Sequence, residues 1–431
     1  MSTAAGLRTL PLYAMLYTFS QVVVQRRYDL PASWDTLKST LRSSFFIFFH
    51  AYNGSVLGCA LRRGFGRFYY RILVCAPALL SSYLSLLIEK PNRRQALAFY
   101  MLNLASEIVF RMATTKGYFK PVKHGETLLF ALSLAAWYHL IKSEGFGHDP
   151  VSAAVKVLIG RDEAKSRSSK AGGQRAESGS LAGNSGGGSG SGSGALGLRW
   201  PGGRHASCPH AQRSCLEYVL APAPSRFLLG YAIQCALKLS AKAHQLLQAP
   251  GPTLRESLLS AGSLRFGLFL ATLVSGGRLA SCLLRRHSNS NQCAWHAALS
   301  GFVAGLSMLW APRSSLSMYV MWKAVEQYYL QAAKAGRVRY FDFTILTIYS
   351  ASAATILYAF ALEPRFVRPS YMKFLDRLSD HRLHQLNRMV LDVFGTGSSL
   401  GYEDFFPDLD PKFMSNQFKE LVFNWMIQPY E

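Results

Sequence analysis

The sequence is poor in charged residues, and the charge it carries is mostly of one sign. Asp, Glu, Lys and Arg make up 16% of its 431 residues, whereas 49% are hydrophobic. Lys and Arg number 47 and Asp and Glu only 24, for a formal net charge of +23. Soluble domains usually contain about 25% charged residues. The positive surplus excludes an acidic binding protein. The low content of charged residues favours a chain embedded in a membrane.

Cysteine is scarce, and no arrangement of side chains points to catalysis. The seven cysteines are odd in number and mostly lie inside apolar runs, so no disulfide framework is expected. His205, Cys208, His210 and Cys215 could supply four metal ligands, but their spacing matches no common structural zinc pattern. We therefore favour a polar loop there, and predict no metal, no cofactor and no enzymatic activity.

Long uncharged runs dominate the rest of the chain. They approach the roughly 20 residues that a bilayer-spanning helix requires. Lys and Arg cluster in the breaks between runs, as loops and helix flanks of a membrane protein do, which argues against a nucleic-acid partner. Because basic breaks follow nearly every run, they do not predict an orientation. The runs are 9–25, 43–61, 72–88, 127–141, 287–312 and 343–362.

Two related halves are visible in the chain. Residues 78–117 and 297–336, at an offset of 219, share eleven identities in forty positions. Chance would give about three. Each half predicts four helices, at 43–61, 72–88, 95–111 and 127–141, and at 265–284, 294–311, 315–333 and 343–362.

A further apolar segment precedes each set of four helices, at 9–25 and at 227–248. If these segments span the membrane, five helices per half make the repeats inverted; if they lie on its surface, four per half make them parallel.

These patterns predict an all-α, multipass membrane protein built from two tandem repeats of four to five helices. The Gly- and Ser-rich stretch between the halves is typical of a disordered tether. The predicted regions are a first membrane repeat (1–150), a disordered linker (160–206), a second membrane repeat (207–363) and a soluble C-terminal tail (364–431).

Small residues recur at helical spacing in both halves. Gly54 and Gly58 share one helix face, and Ala297, Gly301 and Gly305 share another. Such faces let membrane helices approach closely. We predict that they form packing seams within the chain or between copies of it.

Two carboxylates occupy equivalent places inside membrane-compatible helices. Glu107 is followed by Arg111, and Glu326 is preceded by Lys323. An intrahelical ion pair is the simpler interpretation, because an unpaired charge in a bilayer is costly. The alternative is a polar stripe that lines a water-filled groove or contacts a partner helix.

The tail contains two motifs, NRMVLDVFGTG and DFFPDLDPKF, that are typical of a docking surface more than of a reactive site. The residues that we expect to dock are Asp392, Gly395, Gly397, Phe405, Phe406, Asp408 and Asp410.

Several motifs resemble the transmembrane protein 135 family of peroxisomal membrane proteins. They are LLIEKPNRR, YMLNLASEIVFRM and HGETLLF in the first half, GFVAGLSM and SLSMYVMWKAVE in the second, and RPSYMKFL with the two tail motifs. The family's longer cysteine-rich N-terminal region is expected to be absent here, or reduced to Cys208, His210 and Cys215. The linker also departs from the family's more charged one.

The resemblance implies a multipass protein of mitochondrial and peroxisomal membranes. It implies roles in mitochondrial fission, peroxisome organisation and lipid homeostasis, with membrane lipids and a dynamin-related GTPase as partners. The four-helix unit is also similar to the Tim17/Tim22/Tim23 superfamily, which would map packing glycines onto Gly54, Gly58, Gly301 and Gly305 and a polar groove onto the stripe with Glu326.

Two hypotheses follow. In the first, the tail is an adaptor for the fission GTPase. In the second, the repeats form a lipid or metabolite conduit lined by Glu107 and Glu326.

Overall fold

The structure is a computed structural model that describes residues 30–66, 69–144, 214–242, 248–288, 294–339, 343–379 and 386–401, with a few isolated residues elsewhere. All regular elements within these ranges are helical, which confirms the all-α prediction. The predicted linker, 160–206, lies outside the described residues.

The helices follow one another along the chain with short connections. In chain order they are α1 (Leu30–Phe65), α2 (Tyr70–Leu86), α3 (Pro91–Thr115), α4 (Gly125–Glu144), α5 (Cys215–Leu220), α6 (Ala223–Ala241), α7 (Pro250–Leu258), α8 (Ala261–Ser288), α9 (Ala294–Gly305), α10 (Ser314–Lys334), α11 (Phe343–Leu362), α12 (Pro369–Leu378) and α13 (Arg388–Asp392). Single 3-10 turns occur at Leu306–Leu309 and Pro364–Phe366.

Each of the eight predicted repeat helices is present. Where the observed bounds differ from the predicted ones, the difference has a physical reason. The prediction 343–362 matches α11 at both ends. Helix α1 starts at Leu30, well before the predicted 43, and runs through Asp35, Lys38 and Arg42. A search for uncharged runs finds only the apolar part of such a helix, whereas backbone hydrogen bonding continues through its charged first turns.

Four described helices are long and apolar enough to cross a membrane. They are Ser33–Phe65, Arg93–Thr115, Pro250–Ser288 and Phe343–Leu362, and shorter apolar helices cover Tyr70–Leu86 and Trp295–Leu309. Helices α4 and α10 form where the sequence predicts them but are not among these six. Helix α10 carries Lys323, Glu326 and Lys334, which lower its apolar character.

The chain forms two compact units. The first unit contains residues 1–120 and 341–431, and the second contains residues 121–340. In the first unit, α11 packs against α2 and α3, and α1 packs against α2. In the second, α4 packs against α9 and α10, α8 packs against α9, and α6 packs along α8.

The compact units cut across the two sequence halves. Each unit combines three consecutive helices of one half, α1 to α3 or α8 to α10, with the last helix of the other half. These last helices, α4 and α11, are both 20 residues long. The units therefore have the same pattern of helix packing, although each takes its last helix from the opposite half of the sequence.

The ends of α3 and α10 are also built alike. Gly117 and Gly336 adopt left-handed φ values of 80° and 70°. Behind them, the Tyr118 N–H donates to the carbonyl of residue 113 at 3.0 Å, and the Arg337 N–H donates to that of residue 332 at 2.9 Å. Glycine ends a helix in this way at little steric cost. The same cap thus directs the chain out of both helices.

Candidate functional site

Glu107 lies in the first unit at the centre of a buried ion-pair cluster. Its side chain on α3 is 5% exposed and is 2.8 Å from Nη2 of Arg111, one helical turn later. Arg368, just before α12, donates from Nε to Oε1 at 2.7 Å and places Nη2 2.5 Å from Oε2. A guanidinium that binds both carboxylate oxygens holds a fixed geometry. The predicted intrahelical pair is present, and a second arginine joins it from the C-terminal region.

A second acidic residue helps to hold the same region in place. Glu363, at the end of α11, is buried and accepts a hydrogen bond from the Tyr358 hydroxyl at 3.3 Å. Lys116, just after α3, lies 4.0 Å from the same carboxylate oxygen. The acidic groups at 107 and 363 therefore both link α3 to the junction of α11 and α12.

Apolar packing reinforces this junction. Leu104 and Ile108 of α3 form one buried cluster with Ile356 of α11, Phe366 and Leu375. Burial also raises the pKa of the neighbouring Tyr371 phenol, because the phenolate is disfavoured away from water. The start of the predicted tail is thus packed onto membrane-compatible helices and is not freely solvated.

Glu326 has a different environment from its repeat equivalent. Its side chain is 6% exposed and lies 2.5 Å from Nζ of Lys323, whose own side chain is 12% exposed. Both charges sit on α10 of the second unit, so the pairing is again intrahelical. In each unit the buried carboxylate is engaged by a cation of its own unit, which reduces the cost of burying the charge.

A further buried carboxylate was not singled out from the sequence. The Glu89 side chain, between α2 and α3, is 1% exposed, accepts from Oγ of Ser43 at 2.9 Å and lies 3.1 Å from Nη1 of Arg93. Lys90 donates from Nζ to Oγ of Ser39 at 2.8 Å. The only sequence signal was Glu89 standing between two apolar runs beside basic residues, which is also the pattern of an ordinary loop.

The predicted small-residue faces differ in how closely they pack. A Cβ on Gly301 would lie 2.7 Å from the carbonyl oxygen of Leu134, and one on Gly305 would overlap the Cα of Ala131. Both contacts bring α9 against the backbone of α4. On α1, a Cβ on Gly54 would be 3.3 Å from Oγ of Ser81, and one on Gly58 would be 3.9 Å from Cγ of Pro77. Ala297 lies half-buried on α9.

The tightest contact between α6 and α8 was not predicted from the sequence. A Cβ on Gly230 would lie 2.8 Å from the Phe266 carbonyl oxygen, and one on Gly267 would lie 2.9 Å from the Phe227 ring. Gly230 has no small residue three or four positions away on its own helix, whereas Gly267 lies in a four-residue repeat with Ser263, Ala271 and Ser275 that could have marked it.

The described part of the tail is a compact segment. Asp392 accepts a hydrogen bond from the Ser399 N–H at 3.2 Å, and Gly395 and Gly397 adopt left-handed φ values of 68° and 59°. Buried Arg388 donates to the carbonyl of Ala361 at 3.4 Å. Asp392, Gly395 and Gly397 therefore shape this segment from within. Phe405, Phe406, Asp408 and Asp410 lie outside the described residues.

The tail segment contacts α2 and leaves apolar side chains in solvent. The Phe394 ring stacks on Tyr70 with centroids 4.5 Å apart. Next to it, Val393 is 83% exposed and Val390 is 51% exposed. Met389 and Leu400 are also exposed. We call these four residues, Met389, Val390, Val393 and Leu400, the tail apolar patch.

The second unit contains an open apolar cavity of about 890 Å³. It runs between α4, α9 and α10, and small side chains, including Ala136, Ala298 and Ala332, line much of it. Polar groups occur towards one end, where Gln331 and Arg337 line it. Volumes of roughly 300–1,000 Å³ are typical of ligand sites.

The cysteines are distributed without a metal-binding cluster in the part of the chain that the structure describes. Cys59 is exposed, whereas Cys215, Cys235 and Cys282 are buried. Cys215 packs with Tyr218 and Cys282 in a small apolar cluster. His205, Cys208 and His210 lie outside the described residues.

Residues 2–114 match the family model described as the N-terminal cysteine-rich region of Transmembrane protein 135. This part of the chain is therefore similar to the transmembrane protein 135 family. The match covers α1, α2 and nearly all of α3, so the Glu89–Arg93 and Glu107–Arg111 pairs lie within the matched region, whereas Glu363 and Arg368 lie outside it.

This match corrects one prediction from the sequence. The cysteine-rich region was expected to be absent or reduced to Cys208, His210 and Cys215, but it is present at residues 2–114. Within it the chain has only Cys59 and Cys75, and this low cysteine count concealed the region. The match and the candidate spans together support a membrane protein. No solved structure matches the chain.

Proposed function

We propose that this protein is a non-enzymatic adaptor in the membranes of mitochondria and peroxisomes. Its C-terminal segment would recruit a dynamin-related GTPase and so regulate mitochondrial fission and peroxisome organisation, with effects on lipid homeostasis. The observation that carries the proposal is the tail apolar patch, held on a segment that is bound to the membrane-compatible helices.

Contiguous exposed apolar groups on a folded surface commonly mark a binding site for another protein. Here they project from a segment held by the Phe394 stacking on Tyr70 and by the Arg388 hydrogen bond to Ala361. A surface held in one conformation loses less entropy on binding than a free peptide does. The Glu107–Arg368 pair would contribute by fixing the start of α12 on α3.

Orientation is the first requirement, because only a tail that faces the cytosol can meet a cytosolic GTPase. We would attach a C-terminal tag and treat intact mitochondria and peroxisomes with protease, using detergent-opened organelles as the control. Cleavage without detergent is expected. Protection of the tag in both organelles would refute an adaptor that acts through this tail.

The patch itself is tested by a double substitution, Val390→Ser with Val393→Ser, in the full-length protein in liposomes. Binding of the purified GTPase should fall by roughly tenfold or more, as expected when the centre of an interface is lost. Val122→Ser is a matched control, since Val122 is 72% exposed but lies outside the tail. Equal binding by the double variant and the wild type would exclude the patch as the docking surface.

A lipid or metabolite conduit is the second candidate, and the cavity in the second unit is the observation that favours it. The residues predicted to line a conduit, Glu107 and Glu326, are both engaged in ion pairs. Transport that persists in Glu107→Gln and Glu326→Gln proteoliposomes would exclude them as its lining. Transport lost in both variants, with GTPase binding intact, would favour the conduit over the adaptor.

A further inference from the structure

We propose that the cavity of the second unit is a binding site for one acyl chain of an anionic lipid, with the head group at Arg337. The proposal is independent of the adaptor function, because it concerns α4, α9 and α10 and no residue of the tail.

The shape of the cavity suits an acyl chain. Its lining on α10 extends from Met321 to Ala335, which is about 20 Å at 1.5 Å per residue. That length exceeds the roughly 15 Å of hydrocarbon in one leaflet of a bilayer. The groove is open along its side, where Leu132 and Tyr328 are 54% and 60% exposed. A chain could therefore enter laterally from a bilayer.

The groove exists because alanines face it from all three helices. Ala136 of α4, Ala298 of α9 and Ala332 of α10 leave the space that larger side chains would fill. Elsewhere in the same unit α4 and α9 are in backbone contact at Gly305 and Ala131.

Polarity changes along the groove in the way that an amphiphile requires. The end near Leu132 and Met321 is apolar except for Ser133, whose hydroxyl donates to the carbonyl of Leu129, whereas the other end holds Gln331, Trp295 and Arg337. Gln331 donates to the carbonyl of Leu140 at 3.2 Å, which holds the ends of α10 and α4 together at this level. Aromatic residues and helix-end cations are typical of the head-group level of a membrane.

The charge at the polar end selects an anion. Arg337 follows the left-handed Gly336, and its N–H bond to the carbonyl of Ala332 fixes its backbone on the end of α10. No described residue forms an ion pair with the Arg337 guanidinium. Lys334 is exposed three residues earlier in the chain and adds positive charge. Clustered cations beside a membrane segment favour anionic lipids.

Two lipid classes share this chemistry: an acidic phospholipid and a free fatty acid. We would place the full-length protein in phosphatidylcholine nanodiscs with palmitic acid that carries a photoactivatable diazirine in mid-chain. Phosphatidic acid and phosphatidylcholine with the same labelled chain complete the set. Cross-linked peptides are mapped by mass spectrometry, and thermal midpoints confirm that each variant is folded.

We expect at least one anionic probe to label α4 and α10 roughly ten times more strongly than labelled phosphatidylcholine does. A tenfold difference in binding corresponds to the contribution of about one charge-assisted hydrogen bond. The more strongly retained anionic probe identifies the head group. Ala136→Leu should abolish the labelling by filling the groove. Ala236→Leu is the matched control, since Ala236 is an exposed alanine of α6 away from the cavity.

Arg337→Gln should lower anionic labelling roughly tenfold without changing that of phosphatidylcholine. Arg339→Gln removes the same charge two residues later and should leave the labelling near wild type, because Arg339 does not line the cavity. Equal labelling by all three probes, or labelling that survives Arg337→Gln, would show bulk lipid only and overturn the proposal. If Ala136→Leu fails to fold, the arginine pair alone decides the question.

Discussion

A single methyl group added to Gly305 tests the packing of α4 against α9. A Cβ there would overlap the Cα of Ala131 and lie 3.0 Å from its Cβ. Ala131 is fully buried, and the atoms in conflict belong to the backbone of α4, so no side-chain rotation can relieve the overlap. Gly305→Ala therefore requires the two helices to move apart.

The expected size follows from two opposing effects. Overpacking a well-packed contact costs about 1–3 kcal/mol. Replacing glycine by alanine within a helix stabilises the helix by up to about 1 kcal/mol. Because the conflict is with backbone, we expect a net loss of roughly 1–2 kcal/mol. For a unit of this size the thermal midpoint should fall by about 2–8 °C.

The assay is thermal unfolding of the full chain in one detergent, followed by tryptophan fluorescence, since Trp137 lies in the core of the second unit. Gly58→Ala is the control. Its Cβ would be 3.9 Å from Pro77, an ordinary contact, so its midpoint should stay unchanged or rise slightly. If Gly305→Ala behaves like Gly58→Ala, α4 does not pack against α9 as described.

Further substitutions test three other contacts. Glu107→Gln should destabilise the first unit by about 1–2 kcal/mol and increase limited proteolysis of the C-terminal region. The double variant Glu107→Gln with Arg368→Gln should be little less stable than Glu107→Gln alone. If the losses of stability from the two single substitutions add up in the double variant, the two side chains act independently. Glu89→Ala should lower the free energy of unfolding, measured by chemical denaturation, by up to about 3 kcal/mol, because it leaves buried donors without their acceptor. An unchanged free energy of unfolding would contradict the burial of Glu89. Gly230→Ala should lower the thermal midpoint much as Gly305→Ala does, since its Cβ would lie 2.8 Å from the Phe266 carbonyl, and an unchanged midpoint would argue against that contact.

The candidate sites were only partly predictable from the sequence. Glu107 and Arg111 are one turn apart, so helical spacing alone predicts their pairing. Arg368 lies far along the chain, and no local pattern joins it to Glu107. The cavity could not be predicted from the sequence for the same reason. Its alanines form no distinctive pattern within any one helix, and they form a groove only where three helices bring them together.

Glycine packing shows the same division between local and tertiary information. Spacing within α9 indicated Gly301 and Gly305, because both stand on one helix face. It could not indicate their partner, which is the backbone of α4 at Ala131 and Leu134. Gly230 has no spaced companion on its own helix and was missed.

The helices could be predicted from the sequence alone, because apolar runs, basic breaks and helix-ending glycines act within a few residues of one another. The sequence also predicted the membrane class and the similarity of the two halves. Which helices pack together is visible only in the folded chain. The two halves have the same pattern, so the sequence offers α4 and α11 two similar sets of three helices, and local signals do not indicate which set each helix joins. Side-chain fit between distant segments makes that choice: the close approach of α9 to α4 places α4 in the second unit, and the packing of α2 and α3 around α11 places α11 in the first.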